Sequence, residues 1–375
     1  MARVRPKGPG IIVFLAVLGL VGYGVFMLYS RQQATGGGTG SQQQQRRQPA
    51  VTVSGFVGGE KTGFLANGKV QRILSQKYGI ELDYRKAGSI DMVQGSVDGQ
   101  DFVWPSNQVA EEIFRERHGN PLSAENIFNS PIVIYSWAEV VDALQAQGIV
   151  QQAASGQYEA DLDELVALVD SGTKWEEIGL PQLYGRILIL STDPTRSNSG
   201  NMFAGLLANV YNGGEVAGMD SSASVVPQVR EYFTRLGYLE GSSGDLFQHY
   251  IERGMGEKPL VVGYENQLIE FSIEHREHIA RLREKVRIIY PRPTVWSGHP
   301  LIAITENGKR LSQALQDEEL QRIAWEEHGF RSGIIGVSND PKVLDVIGVP
   351  QDVSSVMQMP GPQLMQELIR TLGGS

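Results

Sequence analysis

Residues 191–201 read Ser-Thr-Asp-Pro-Thr-Arg-Ser-Asn-Ser-Gly-Asn, a loop crowded with hydroxyls around one arginine, Arg196. An apolar run at 187–190 precedes it and an apolar-periodic segment at 202–210 follows. That order predicts a strand, a polar loop and a helix start. The first N–H groups of a helix have no intrahelical acceptor, and the positive end of the helix dipole lies there, so the loop suits a small polar or anionic group. Thr195, Arg196, Ser197, Ser199 and Gly200 are the residues placed to reach it. The competing reading is an ordinary N-cap, which Ser, Thr, Asp and Asn also favour.

Similar loops recur along the chain. Ser54-Gly55 ends an apolar segment, and Gly58-Gly59-Glu60-Lys61-Thr62 extends the loop with two glycines that permit close backbone approach. Glu60 argues either for a ligand carrying an amine or for a surface ion pair with Lys61. Gly88-Ser89 stands before a predicted helix, with Ser89 offering a hydroxyl beside exposed amides unless Asp91 satisfies them instead. Asp101, Ser106 and Asn107 flank a short apolar run; the aspartate suits a protonated oxyanion or a cation, and the other two suit helix capping as well. Tyr264 is placed to stack on or bond to a ligand and Glu265 to face an ammonium group. Trp104, Trp137 and Trp296 either wall a cleft or bury core area.

Catalytic and metal patterns are missing. The six histidines are scattered, and His275 and His278 share a predicted helix with Glu274, Arg276 and Glu277, as on a solvated face. No nucleophile elbow, Walker sequence, zincin motif or dinucleotide fingerprint is present in the right context. The expectation is a binding protein, not an enzyme, with no metal and no cofactor. With no cysteine there is no disulfide, no thiolate metal site and no lipid-modified N-terminal cysteine.

Several elements must position these loops. Residues 10–29 are apolar and uncharged, preceded by Arg3, Arg5 and Lys7, with Arg31 the nearest charge after them. The run is long enough to span a bilayer, and its charge asymmetry predicts an uncleaved anchor with a cytoplasmic basic tail at 1–9 and the large C-terminal part outside the cell membrane. A cleaved signal peptide is the alternative. Residues 30–50, rich in Gln, Gly and Thr, read as a flexible linker. The first 50 residues hold six basic residues and no acidic one; removing them from totals of 33 and 42 leaves 27 basic against 42 acidic, a net charge of −15. Such a domain is a poor partner for nucleic acid or anionic lipid.

From residue 51 onward strands and helices alternate. Strands are predicted at 51–57, 80–84, 101–104, 131–137, 185–190, 260–264 and 286–290. Helices are predicted at 69–78, 108–117, 162–169, 202–210, 225–236 and 267–282, with one opening at 88–91. Residues 294–304 are expected to be extended, 308–328 one long helix ending at a glycine C-cap, and 361–372 a terminal helix. This is the pattern of an α/β protein with mostly parallel sheets flanked by helices.

The order of elements resembles the type 2 periplasmic binding proteins, the receptors of ABC importers. The resemblance rests on Gly88-Ser89 at a helix start, Pro131-Ile132-Val133-Ile134-Tyr135, the Ser/Thr loop at 191–200 and Glu327-His328-Gly329-Phe330-Arg331. It implies two α/β lobes, one built from 51–137 and 295–375 and the other from 138–294, with crossovers near 135–139 and 293–296. A ligand would bind in the cleft between them, and the partner would be an ABC permease in the same membrane. Arg196, Ser199-Gly200, Ser89 and Asp101 further resemble the phosphate-binding branch. The spacing from Arg196 to Ser199 departs from that branch, and Ile90-Asp91-Met92 replaces its glycine-rich run. The implied function is a tethered solute receptor for a small polar ligand or inorganic anion. The alternative is a sensory or interaction module of the same fold without a transporter.

Overall fold

The computed structural model describes residues 50–374. The expected basic tail, the anchor at 10–29 and nearly all of the linker lie outside the described residues. Among the described residues no helix is long and apolar enough to cross a membrane.

One strand organises the sheet. The strands are β1 (Val51–Val57), β2 (Ile80–Lys86), β3 (Phe102–Trp104), β4 (Ser123–Trp137), β5 (Val150–Gln152), β6 (Tyr158–Asp161), β7 (Leu260–Tyr264), β8 (Val286–Arg292), β9 (Trp296–Ala303) and β10 (Arg331–Ser332). They run in the order β2-β1-β3-β9-β4-β8-β6-β5, with β7 and β10 also on β4. β4 is 15 residues long. It pairs with β9 as far as Pro131 and then with β7 from Ile132 and β8 from Ile134. One strand thereby joins two halves of an α/β fold, and the chain returns between them from β8 to β9. β4 is buried from Ser130 to Ser136, as a strand covered on both faces must be.

The expectation of mostly parallel sheets does not hold. Among the described strands, β1–β2, β1–β3 and β6–β8 are parallel. β9, β7, β8 and β10 all run antiparallel to β4, β3 runs antiparallel to β9, and β5 to β6. The cause is β4 itself: every neighbour of this central strand returns against it, so the sheet is mixed. Helix–strand alternation in sequence does not reveal which strands become neighbours.

Each half has its own aromatic packing. Phe64, Trp104, Phe128 and Phe330 meet beside β1 and β3, with Phe128 and Phe330 stacked at 5.0 Å between ring centroids. Tyr135, Phe247 and Tyr250 pack beside β7 and β8. At roughly 1.5–3 kcal/mol per buried large apolar side chain, these clusters hold the loops between them in place.

Four local expectations change. Residues 308–328 form two helices, Glu306–Leu315 and Glu318–His328, because Asp317 breaks the run and caps the second by accepting from the Glu319 and Leu320 amides at 2.9 and 3.3 Å. Gly329, with φ 69°, ends the second helix as expected. Residues 185–190 are extended without forming a full strand; Leu190 bridges Val261, donating to Leu260 O and accepting from Val262 N. The helix after Gly88-Ser89 is a single turn, Asp91–Gln94. Residues 267–282 split at His275 into Glu265–Glu274 and Ile279–Lys285, with a 3-10 turn between. The terminal helix Pro362–Leu372 buries Leu364, Met365 and Leu368 against helices Asn198–Tyr211 and Ser222–Leu236. Its Gln363 also donates to Glu116 at 3.4 Å.

Candidate functional site

A cleft of roughly 710 Å³ lies at the ends of the strands. One wall carries Gly58, Gly59, Glu60, Thr62, Lys86, Gly88, Ser89 and Asp91. The other carries Arg196, Ser197, Asn198, Ser242, Ser243, Tyr264 and Gln267. Three helices begin in the second wall, at Asn198, Ser243 and Glu265. Their dipoles and first-turn amides favour negative charge at these helix starts, while Glu270 and Glu274 bring carboxylates to the same cleft further along the third helix.

Arg196 stands at the start of the first of these helices. It is exposed, and among the described residues its guanidinium has no ion pair or hydrogen bond. Its Cζ lies 3.0 Å from where a Cβ on Gly241 would stand, so the guanidinium rests close against that glycine. The N-cap, Ser197, makes no side-chain cap bond. The Ser197 and Ser199 hydroxyls are 3.1 Å apart, and Ser199 lies 2.9 Å from Thr192 Oγ1, so Ser199 is buried within a hydroxyl chain. A Cβ on Gly200 would overlap the Thr192 carbonyl, which assigns this glycine to close packing of helix on loop. Thr195 donates from N and Oγ1 to Asp193 Oδ1 at 2.8 and 2.7 Å, an Asx-type turn that shapes the loop.

Asn198, passed over in the sequence, ties the walls together. Its Nδ2 lies 2.9 Å from both Ser106 O and the Tyr264 hydroxyl, while Asn107 Nδ2 donates to its Oδ1. Its only sequence signal was its place at the helix start, where asparagine reads as a cap. Asn107 also caps helix Gln108–His118, accepting from the Ala110 amide at 2.6 Å. Ser89 Oγ accepts from the Ser106 amide at 2.9 Å.

A buried polar cluster lies beneath Glu60. Lys61, fully buried, donates to Glu60, to Ser106 Oγ at 2.8 Å and to Pro105 O at 3.3 Å, and lies 3.2 Å from His299 Nδ1. Ser106 Oγ also donates to Glu60. Burial alone would raise the Glu60 carboxyl, but the Lys61 charge and the bonds from His299 and Lys61 outweigh it and hold it well below the usual carboxylate range. Burial, then the Lys61 charge, pushes the His299 imidazole down to about 4, so it is neutral at pH 7. Burial lowers the Lys61 ammonium, against the attraction of Glu60. Tyr264 is raised by burial and then by the Glu60 charge, and it stays a phenol.

Other expected site residues stand elsewhere. Asp101 accepts from the Ser54 amide at 2.9 Å and from Thr305 Oγ1 at 2.5 Å, tying β1 to the turn after β9. Ser54, Gly55 and Asp101 do not line the cleft, and Gly55 packs on the Phe102 carbonyl and ring. Glu265, expected to face an ammonium ligand, is fully buried. Arg331 holds it in a two-point ion pair at 2.6 and 2.9 Å, and the Tyr290 hydroxyl donates to it at 2.6 Å. Trp104 is fully buried and Trp137 partly so, and they donate to His299 O and Lys258 O, both at 2.9 Å. Among the described residues no cluster of His, Asp and Glu is suited to a metal ion.

No protein-family model matches the chain, and no curated protein sequence matches it either. Solved structures do. Iron-bound HitA from Pseudomonas aeruginosa superposes with a TM-score of 0.58 at 13% identity, over 86% of this chain and 99% of that one. The substrate-binding protein of an ABC transporter from Agrobacterium tumefaciens gives 0.54 at 13% identity, over 88% and 95%. A two-component system protein that mediates signal transduction gives 0.52 at 12%, over 85% and 100%. The fold is that of the extracellular solute-binding proteins. At such identities the likeness extends to the fold alone. It agrees with the resemblance drawn from the sequence.

Proposed function

We propose that this protein is a membrane-tethered, extracytoplasmic solute receptor whose two lobes close on a small polar ligand with an anionic group and present it to an ABC permease. The observation that carries the reading is Arg196, exposed and, among the described residues, unpaired, beside the start of helix Asn198–Tyr211 in the cleft wall, where Ser197 makes no side-chain cap. An arginine fork and a helix N-terminus together suit a carboxylate or a tetrahedral oxyanion. Closure is then a population shift biased by the ligand, with no chemical step. The segments 51–137 with 295–375, and 138–294, serve as the lobes, and residues 10–29 as the anchor.

HitA is iron-bound, but among the described residues here no group of His, Asp and Glu is suited to a metal ion, and Tyr264 in the cleft is buried and held as a phenol. That supports an anion in preference to a ferric ion. The second reading is a sensory module of the same fold, favoured by the likeness to a two-component protein.

Thermal unfolding of the full chain in detergent tests the proposal, with phosphate, sulfate, molybdate, amino acids and polyamines added in turn. A ligand that binds only the folded state raises the melting temperature by mass action. We expect a saturable rise with an anionic compound that is lost in Arg196→Ala. A rise with no compound, in protein freed of retained ligand, favours the sensory module.

A further inference from the structure

Beside Arg196 lies a small side pocket of about 10 Å³, lined by Ser89, Asp91, Arg196, Ser197, Asn198 and Asn201. Several of these residues also line the main cleft, so the two spaces adjoin. The pocket has room for about one water-sized group. Asn201, in the first turn of the 14-residue helix Asn198–Tyr211, is 2% exposed. Neither its Nδ2 nor its Oδ1 has a hydrogen-bond partner among the described residues.

Among the described residues none of the neighbouring groups bonds it: Asp91 lines the pocket with its carboxylate but makes no hydrogen bond to Asn201. Ser197 and Ser199 pair with each other, Ser199 with Thr192, and Ser89 accepts from the Ser106 amide. A buried amide left unmade on both sides is costly, and such groups in folded proteins ordinarily have partners. An amide presents a donor and an acceptor side by side. A bare oxyanion oxygen satisfies only Nδ2. A hydroxyl satisfies both, accepting from Nδ2 and donating to Oδ1.

We propose that the side pocket receives a hydroxyl carried by the anionic ligand, and that Asn201 is the residue that reads it. The inference rests on the cleft being the binding site: Arg196 and the helix start take the negative charge, and Asn201 selects anions that keep an O–H within a bond or two of that charge. Protonated tetrahedral oxyanions and α-hydroxy carboxylates belong to this class. Simple carboxylates and fully deprotonated oxyanions do not.

Titration calorimetry on the full chain in detergent tests this with two probe pairs matched in shape, phosphate against sulfate and lactate against propionate, at pH 7.5. In the wild type we expect at least one hydroxyl-bearing member to bind about tenfold or more tighter than its partner. Asn201→Leu, close in shape and apolar, should erase that preference while leaving the hydroxyl-free member within about twofold; Asn201→Ala provides a second variant should the first not fold. Equal affinities within both pairs, or a preference that survives both substitutions, overturns the proposal and assigns a fixed water to Asn201. Failure of all four probes also overturns it. Arg196-dependent stabilisation by some other compound would then leave the receptor reading standing.

Discussion

Two polar corners face the same cleft and are built in opposite ways. In the corner under Glu60, Lys61, Ser106 and His299 satisfy one another, and nothing is left to offer a ligand beyond the exposed edge of Glu60. In the corner at Arg196, among the described residues, the guanidinium is unpaired, the helix start is uncapped by its serine, and Asn201 is buried without a partner. The same contrast separates two arginines. Arg331 spends its donors on Glu265, Pro350 O and Gln351 O, whereas Arg196 spends none. A polar residue whose bonds close within the chain holds the fold, and one whose bonds remain open is available for recognition.

Arg331→Ala should break this comparison most severely. It leaves Glu265 charged and fully buried, so a loss of about 3–5 kcal/mol is expected in urea unfolding. A loss below about 1 kcal/mol would mean that water reaches Glu265 and that the pair is not structural.

The closed corner should also respond to acid. His299 titrates near 4 when folded and near the ordinary 6.5 when unfolded. Between those values the unfolded chain takes up a proton that the folded protein refuses, so stability is full above about 6.5 and falls as pH drops toward 4. Glu60, held low, adds loss in the same direction further into acid. Comparing unfolding at pH 7 and pH 4.5, the wild type should lose on the order of 1–3 kcal/mol more than His299→Gln. An equal loss in both proteins would remove His299 from the account.

Gly200→Ala should cost about 1–3 kcal/mol by pushing the helix off the Thr192 carbonyl, read as a lowered denaturant midpoint. An unchanged midpoint would return Gly200 to the list of ligand contacts. Arg196→Ala should have the smallest effect on stability, within about 0.5 kcal/mol, because no bond among the described residues is lost. The same change should weaken anion binding by about tenfold or more. A large stability loss without any change in binding would place Arg196 with Arg331.

Much of the fold was legible because it is written in local pattern. β7 spans the predicted 260–264, β1 the predicted 51–57, and Gly329 ends its helix in the left-handed conformation. The break at Asp317 was missed because apolar periodicity continues across it, while the cap depends on one carboxylate turning onto two amides. The loops that reach the cleft were partly legible, since Gly88, Ser89, Arg196, Ser197 and Tyr264 line it. Asn201 was not: it closed the polar loop at 191–201 before the helix predicted at 202–210, and only its surroundings show that among the described residues nothing bonds it.

Residue type and spacing by themselves determined that the chain alternates strands with helices, that polar loops open several of those helices, and that no cysteine chemistry is available. Only the tertiary structure decided that the sheet is mixed, that Glu265 belongs to Arg331, and that Asp101 ties a turn instead of facing the cleft. The physical reason is the range of the forces involved. Helix periodicity and capping act over a few residues and leave their mark in sequence. Strand pairing and the burial of a charge depend on partners tens to hundreds of positions away, and those partners meet only when the chain has folded.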